Sequence, residues 1–195
     1  MNKKNSGVTR AGEAMDRVIA AAPKTILDIG SGNSEHADAM RRAGLRVTTI
    51  DATHEADIRG DYLMKYCGAF ACIWCSHVLE HCRDVGSTLE KMRRELRPNG
   101  LLAITVPPMR ETLVGGHVNT FNEGTLIYNL ILAGFDCSKA RVGVYGYNIS
   151  VLVQNIPANL PDNLTHANGE IERLKQFFPW NVKQAINGRL GPVRW

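Results

Sequence analysis

Apolar residues form two patterns along the chain: short uninterrupted runs, and longer stretches in which they recur at helical spacing. Uniformly apolar runs of four to eight residues are typical of strands covered on both faces. The longer stretches carry helix start and stop signals, among them prolines and glycines at their ends. The predicted strands are 24–29, 45–50, 69–75 and 101–106, and the predicted helices are 9–22, 34–43, 84–97, 123–133 and 170–178.

The alternation of these strands and helices predicts the fold class. Strands that alternate with helices build a mostly parallel sheet with helices on both faces. Two late segments, 135–144 and 148–154, flank a short Tyr-Gly-Tyr turn and predict an antiparallel hairpin. We therefore expect an α/β fold: a Rossmann-like, doubly wound, mostly parallel sheet with an antiparallel terminal hairpin.

The length and the local composition predict the domain organisation. A chain of 195 residues, 44% of them hydrophobic, is long enough to bury one ordinary core. Residues 155–169 are rich in Pro, Asn and Asp and have the composition of a linker. We expect one domain over residues 1–154, followed over residues 155–195 by a linker, a short helix and a tail that pack on it.

Charge and cysteine usage narrow the function classes. The net charge is +4, but the first ten and the last fifteen residues each carry +3, so the remaining body carries −2. A near-neutral body argues against a nucleic-acid partner, which requires a basic stripe on the folded surface. No apolar run approaches the ~18 residues that span a bilayer, and the five cysteines form no disulfide-type framework. We expect a cytoplasmic protein with reduced thiols.

Polar residues follow three of the predicted strands, where a ligand site is expected in such sheets. The first strand ends in the turn Asp28–Gly32, the second ends at Asp51, and the third is followed by Ser76 and His77. Glycines allow the backbone to turn sharply and to approach a ligand closely. An acid in the position of Asp51 can accept hydrogen bonds from both ribose hydroxyls of a nucleoside.

The glycine turn itself indicates which nucleoside is bound. Gly30 and Gly32 are followed by Glu35 where a dinucleotide-binding fingerprint has its third glycine. Asp28 precedes the turn, and a negative charge there would repel a pyrophosphate and attract a cationic ligand. These residues favour a positively charged nucleoside without phosphate, and S-adenosylmethionine has this character.

Five segments, in order between Thr25 and Val153, resemble motifs of the class I S-adenosylmethionine-dependent methyltransferases, in particular the branch that methylates small molecules. They are ILDIGSGNS, TTID, FACIWCSHVLEHCRD, LRPNGLLAITVP and HVNTFNEGTLIYNLILAGFD. The resemblance implies S-adenosylmethionine as cofactor and assigns the residues that bind it. These are Asp28, Gly30 and Gly32 at the methionine end, Asp51 at the ribose, Asp57 and Ile58 at the adenine, Ser76 and His77 near the sulfonium, and Ser31 and Ala52 beside them.

Two histidines are candidate catalytic residues. His117 lies in the Gly- and Pro-rich loop after the fourth strand, which opens over the same edge of the sheet. A histidine there can take a proton from an acceptor hydroxyl, since its pKa lies near working pH. We predict that His117, or failing it His77, acts as the general base.

Two other patterns in the sequence also occur in metal sites, and each is weighed against the methyltransferase interpretation. The sequence HVLEH over 77–81 matches H-x-x-E-H, a zinc-peptidase signature that needs both histidines on one helix face. Its position directly after an apolar strand favours the methyltransferase, so the zinc peptidase is kept only as an alternative. Cys72 and Cys75 form a C-x-x-C pair, but residues three apart on a strand point to opposite faces. We predict no metal ligands.

The acceptor is the least determined part of the prediction. We expect a small-molecule or sugar acceptor, methylated on oxygen in the biosynthesis of cell-surface glycans. One alternative is a natural-product or quinone-precursor methyltransferase, and another is a protein that binds the cofactor without turnover. Trp180, Trp195 and the apolar tail suggest a possible homodimer.

Overall fold

The computed structural model describes residues 10–165, 167, 170–182 and 195 of the chain. They form one sheet of seven strands with helices on both faces. The strands are β1 (Ile26–Ile29), β2 (Val47–Asp51), β3 (Ile58–Arg59), β4 (Phe70–Ser76), β5 (Leu96–Val106), β6 (Arg141–Tyr145) and β7 (Asn148–Gln154). The helices are α1 (Gly12–Ala21), α2 (Glu35–Arg42), α3 (Val85–Glu95), α4 (Glu123–Leu132) and α5 (Glu170–Leu174).

The strand order is β3-β2-β1-β4-β5-β7-β6, and this topology confirms the predicted fold class. Strands β1 to β5 pair in parallel, whereas β7 runs antiparallel to both β5 and β6. The chain leaves β1 toward β2 and β3, then returns to place β4 on the other side of β1. Loops at the carboxyl ends of β1 and β4 therefore diverge, and an open sheet of this kind binds its ligand at that switch point.

Alternate strand residues face two separate hydrophobic cores. Ile26 and Trp74 pack with α1 and α2 on one face, whereas Leu27 and Ile73 pack with α3 and α4 on the other. Cys72 and Cys75 also fall on opposite faces, so this pair does not share a metal, as the strand periodicity predicted.

The boundary between α3 and β5 differs from the prediction. The proline, asparagine and glycine at 98–100 were expected to separate a helix from a strand, but α3 ends at Glu95 and β5 begins with the next residue. The Asn155 side-chain amide donates hydrogen bonds to the carbonyl oxygens of Arg93 (3.1 Å) and Leu96 (2.9 Å). Asn155, which follows β7, thus supplies hydrogen bonds to carbonyl groups at the end of α3. This contact joins residues far apart in the chain and cannot be predicted from the local sequence.

The segment between β2 and β4 contains structure that the sequence pattern did not indicate. The short strand β3 pairs with β2, and a 3₁₀ turn follows at Tyr62–Met64. The Asp61 side chain accepts a hydrogen bond from the backbone N–H of Leu63 at 2.9 Å and so caps this turn. Two-residue strands and single turns are too short to show hydrophobic periodicity.

The C-terminal segment packs on the sheet domain. Leu174, Phe177 and Phe178 are buried in the larger core, as expected for the predicted helix 170–178, although α5 itself ends at Leu174 and continues as a 3₁₀ turn. The domain boundary at residue 154 stays a prediction. Most of the predicted basic ends lie outside the described residues.

The predicted hairpin forms with a shorter first strand, and the possible homodimer stays a prediction. Phe135 forms an isolated bridge to Pro157 in place of a strand, because the Phe135 and Asp136 backbone N–H groups bond back to α4 and across to Ile156. Trp180 packs against the larger core and Trp195 against the smaller one, so both contact their own chain. Within the described residues, no helix is both long and apolar enough to cross a membrane.

The turn at Gly30 gives a testable constraint. Gly30 has a φ of +68°, and a Cβ there would lie 2.3 Å from Cγ2 of Val78. We expect Gly30→Ala to lower the free energy of unfolding by about 2–4 kcal/mol through backbone strain and overpacking. In a protein that already carries Val78→Ala, Gly30→Ala should lower the free energy of unfolding by at least about 1 kcal/mol less than in the wild type. The clash with Val78 is then removed, and only the backbone strain remains. Equal costs in both backgrounds, measured by urea denaturation, would contradict this close approach.

Candidate active site

Two cavities meet at the carboxyl edge of the sheet, and Gly30 lines both of them. The first cavity, of about 360 Å³, lies between the ends of β1 and β2 and the segment that follows β4. The second cavity, of about 290 Å³, lies between the glycine turn and the end of β4. Asp51, Ala52, Tyr62 and Val78 are among the residues that line the first, and Ser31, Ser76 and His77 are among those that line the second.

Asp51 is held as a carboxylate at the wall of the first cavity. Its Oδ2 accepts a hydrogen bond from Gly32 N at 2.8 Å, and its Oδ1 accepts from the backbone N–H groups of Thr53 and His54, both at 2.8 Å. Partial burial raises the pKa of Asp51, but these backbone donors outweigh burial and lower the pKa well below its ordinary value. Oδ2 has one donor and keeps a lone pair for a ligand hydroxyl.

The second cavity contains buried polar atoms without partners. Within the described part of the chain, Oγ of Ser31 and Oγ of Ser76 are buried and make no hydrogen bond. Buried polar atoms are normally paired, so each of these hydroxyls is a site where a bound polar group would be stabilised. Ser31 and Ser76, both predicted to bind the cofactor, therefore offer unused hydrogen-bonding capacity.

Asp28 corrects the electrostatic argument made from the sequence. Its side chain is 2% exposed, lines neither of the two cavities, and its Oδ2 has no hydrogen-bond partner among the described residues. Burial raises the pKa of Asp28 to about 8; Arg41 opposes this shift and Asp51 adds to it. Burial thus favours the protonated form of this carboxyl, which weakens the negative charge that was expected to repel phosphates.

The predicted adenine-flanking pair, Asp57 and Ile58, lies outside the wall of the first cavity. The Asp57 carboxylate accepts hydrogen bonds from the Thr49 backbone N–H (2.9 Å) and from Arg41 (3.0 Å), so it ties the β2–β3 connection to its surroundings. Neither Asp57 nor Ile58 lines the first cavity; residues 60–63 line it instead. The assignment of Asp57 and Ile58 to the adenine stays a prediction.

His77 connects the end of β4 to the opposite side of the site. Its φ is +56°, and its Nε2 lies 3.0 Å from Oδ1 of Asn148. The Asn148 amide donates through Nδ2 to Tyr145 O, so Oδ1 is the acceptor and His77 Nε2 carries a proton. His77 Nδ1 lies 3.3 Å from a Glu80 carboxylate oxygen, so both ring nitrogens contact groups of the protein itself. The ring of His77 is thereby held between Asn148 and Glu80, and its role as a general base stays a prediction.

His117 lies in the loop after β5, at the edge of the site where the sequence placed it. It lines a third, small cavity of about 50 Å³ together with Tyr147 and apolar residues of the same loop. Its ring packs perpendicular to that of His81, with 5.0 Å between the ring centroids. His81 in turn lines the first cavity, so the two histidines separate the first cavity from the third.

The sequence interpretation missed two basic residues of the second cavity. Arg10 and His36 line it, near the start of α1 and of α2 respectively. His36 Nδ1 accepts a hydrogen bond from the Trp74 indole at 3.2 Å, and burial lowers the pKa of His36. No local motif marks either residue, because they reach the site only through the packing of α1 and α2 on the sheet.

Comparisons with known proteins agree with this architecture. A sequence model of the family described as a methyltransferase domain matches residues 6–138. A ubiquinone biosynthesis O-methyltransferase of Aromatoleum aromaticum is 30% identical over 105 residues, which cover 44% of this chain and 45% of that protein.

Two solved structures share the fold. The mitomycin 7-O-methyltransferase has a TM-score of 0.60 at 17% identity, covering 75% of this chain and 53% of that one. The 1,6-didemethyltoxoflavin-N1-methyltransferase of Burkholderia thailandensis, solved with S-adenosylhomocysteine, has a TM-score of 0.58 at 20% identity, covering 72% of this chain and 77% of that one.

The fold and the site thus define an α/β protein with a nucleoside-type cleft at the switch point of its sheet. More particularly, the chain belongs to the methyltransferase-domain family, which confirms the resemblance seen in its motifs. The chain spans about half the length of the curated relatives it matches. The zinc-peptidase alternative is wrong, because residues 79–81 form a 3₁₀ turn and not the α-helix that would align His77 with His81.

The buried carboxyl of Asp28 predicts a pH-dependent stability. Its folded-state pKa of about 8 lies above the ordinary 3.8, so the unfolded chain releases this proton at lower pH than the folded chain does. The wild type should therefore lose stability relative to Asp28→Asn as the pH rises from about 4 to 8, with no further change above that. Thermal unfolding of both proteins between pH 5 and 9 measures the difference. The exposed Asp38→Asn serves as control, and a pH-independent difference for Asp28→Asn would contradict the raised pKa.

Proposed function

We propose that this chain binds S-adenosylmethionine across the first and second cavities and transfers its methyl group to an oxygen of a small-molecule acceptor. One observation carries the proposal: two cavities joined at Gly30 hold a hydroxyl-accepting carboxylate in one and unpaired buried hydroxyls in the other. That arrangement fits a ligand with a nucleoside at one end and an amino acid at the other. The family membership supports the same reaction class.

The residues present fit each part of the cofactor. Asp51 Oδ2 can accept a hydrogen bond from a ribose hydroxyl, and the apolar wall of the first cavity, including Ile29 and Val78, suits an adenine ring. Ser31 and Ser76 offer hydroxyls to the amino-acid end, where Arg10 supplies a positive charge for a carboxylate. S-adenosylmethionine, when bound, supplies a methyl carbon on a positively charged sulfur that is already a good leaving group. The chain's task is then mainly to hold the acceptor oxygen in line with that carbon.

The surface around the site favours an apolar acceptor. Of the seven large apolar side chains that are exposed in the described part of the chain, six lie in the two connections that follow β3 and β5. Three of the six line a cavity: Leu63 lines the first, and Met109 and Leu113 line the third. Exposed apolar side chains concentrated at cavity walls are typical of a binding site and not of ordinary surface. We call Leu63, Met109 and Leu113 the apolar rim.

This rim distinguishes between the two acceptor classes predicted from the sequence. A sugar presents hydroxyls in every direction and calls for a polar rim with many hydrogen-bonding side chains. An aromatic hydroxyl compound with an apolar substituent matches exposed methionine and leucine better. The relatives named as ubiquinone biosynthesis O-methyltransferases support the second class. We therefore favour the quinone-precursor alternative over the glycan acceptor.

Of the two histidines predicted as candidates for the general base, we favour His117. Since both ring nitrogens of His77 are engaged, that residue positions its neighbours, Asn148 and Glu80. His117 remains as the histidine on the acceptor side of the site. Whether it acts on a proton directly depends on its neighbours, His81 and Glu80.

The role of Asp51 can be tested by equilibrium binding. Replacing Asp51 with Ala removes the hydroxyl acceptor and the anchor of the glycine turn. We expect the affinity for S-adenosylmethionine to fall by about 10- to 100-fold, which corresponds to the roughly 1.5–3 kcal/mol of a hydrogen bond to a charged group. Isothermal titration calorimetry measures this loss. Asp38→Ala, an exposed acid on α2, should bind as the wild type does, and an unchanged affinity in Asp51→Ala would remove Asp51 from the site.

The acceptor class can be tested with a panel of small molecules. Purified protein is incubated with S-adenosylmethionine labelled in its methyl group and with either hydroxylated aromatics bearing apolar chains or free and nucleotide-linked sugars. We expect label transfer to the aromatic set, with KM falling as the apolar chain lengthens, because the rim gains contact area. Transfer to sugars alone would restore the glycan prediction. Tight cofactor binding without transfer to any member would favour the non-catalytic alternative.

A further inference from the structure

Three potential metal ligands converge beside the site, outside the residues assigned to the cofactor. Glu80, His81 and His117 each present one ligand atom, and these atoms all lie within 4.8 Å of one another. Glu80 and His81 belong to the 3₁₀ turn after β4, whereas His117 comes from the loop after β5.

The backbone holds these two segments together. Val118 N and Asn119 N both donate hydrogen bonds to the Glu80 carbonyl oxygen, at 2.8 and 3.1 Å, and the Asn119 side chain donates to the Leu79 and Cys82 carbonyls. The convergence of the three ligands is therefore built into the fold and does not depend on a chance approach of surface side chains.

Glu80 is the independent sign that this cluster receives a ligand. The residue is 1% exposed, and its Oε2 has no hydrogen-bond partner among the described residues. Its Oε1 lies 3.3 Å from His77 Nδ1, and no lysine or arginine in the described part of the chain forms an ion pair with it. A buried carboxylate with an unpaired oxygen costs several kcal/mol unless a cation or donor completes it. Oε2 thus has an unused capacity to bind a donor or a cation.

His81 is oriented as a metal-binding histidine. Its Nδ1 lies 2.7 Å from the carbonyl oxygen of Gly116, which can only accept a hydrogen bond. Nδ1 therefore carries the proton, and the lone pair lies on Nε2. A histidine that donates one ring N–H to a backbone carbonyl and offers the other nitrogen is the arrangement found around protein-bound metals.

We propose that Glu80, His81 and His117 bind one divalent transition-metal ion, with Zn²⁺ as the ion that best suits two imidazoles and a carboxylate. Metal–ligand bonds of about 2.1 Å place two ligands of a tetrahedral ion about 3.4 Å apart. The observed spread of up to 4.8 Å therefore requires a contraction of up to about 1.4 Å. His117 can supply this movement, since it is half-buried in a long loop.

Three protein ligands leave the fourth position of a tetrahedral ion open. His81 lines the first cavity and His117 lines the third, so the open position lies between the proposed cofactor site and the loop that carries the apolar rim. A hydroxyl bound there would lose its proton more easily, because the ion stabilises the oxyanion. The ligand class that follows is an aromatic or aliphatic hydroxyl compound.

The catalytic part of this inference rests on the proposed methyl transfer, whereas the metal site itself does not. In that step the metal-bound hydroxyl releases its proton to solvent, and its oxygen forms a bond to the methyl carbon. The carbon–sulfur bond breaks as its electron pair goes to sulfur, so the charges balance. His117 then acts as a metal ligand and not as the general base predicted from the sequence.

Metal binding is tested directly on the full chain. Protein stripped with a chelator is titrated with Zn²⁺ by calorimetry, and with Co²⁺ by the visible absorption of a tetrahedral site. We expect one ion per chain, and at least a 100-fold loss of affinity in Glu80→Gln and in His117→Gln. His54→Gln, an exposed histidine outside the cluster, is the matched control and should bind metal as the wild type does. If Glu80→Gln fails to fold by circular dichroism, the loop variant His117→Gln decides alone.

The outcomes separate the metal site from the proposed function. No binding by the wild type, or binding unaffected by His117→Gln, overturns the site. If the protein binds the metal but transfers no methyl group to any acceptor, the metal site is supported and the proposed function is contradicted. If stripped protein transfers methyl groups as fast as metal-loaded protein, the proposed function is supported and the catalytic role of the ion is contradicted. Loss of transfer in His117→Gln with S-adenosylmethionine binding unchanged, and recovery of stripped protein by Zn²⁺, supports both.

Discussion

The carboxylate of Asp51 joins the two loops on which the whole site depends. It accepts backbone hydrogen bonds from Gly32 in the glycine turn and from Thr53 and His54 at the end of β2. These donors keep it ionised and nearly immobile, so one side chain both shapes the turn after β1 and presents an oxygen to the first cavity. Together with the backbone hydrogen bond from Gly30 N to Ile50 O at 2.8 Å, this carboxylate fixes the spacing of the two loops.

The segment from Ser76 to His81 is the second organising element, because three cavities are arranged around it. Ser76 and His77 line the second cavity, Val78 and His81 line the first, and His81 contacts His117 at the edge of the third. The positive φ of His77 turns the chain sharply at the end of β4, so that successive side chains face different compartments. The same turn buries Glu80 under the site, where its carboxylate has one unpaired oxygen.

Much of the fold could be predicted from hydrophobic patterning, since buried parallel strands and amphipathic helices each leave a strong periodic signal. The central strands β1, β4 and β5, the fold class and the family were all predicted on that basis and on five motifs. Short elements and long-range caps could not be predicted: β3 has two residues, and the end of α3 is satisfied by Asn155 from the far side of the domain. The glycine turn and Asp51 line the first cavity, as predicted, whereas Asp57 and Ile58, predicted at the adenine, do not line it.

The sequence by itself determined which residue types stand at the ends of the strands, because strand ends follow from local hydrophobic runs and the parallel arrangement brings those ends to one edge. It could not determine the state of a side chain whose surroundings come from distant parts of the chain. Only the tertiary structure decided that Asp28 is buried, which raises the pKa of its carboxyl, and that both ring nitrogens of His77 contact groups of the protein. It also decided that His117 meets His81 and Glu80, since burial and convergence depend on packing between elements far apart in sequence.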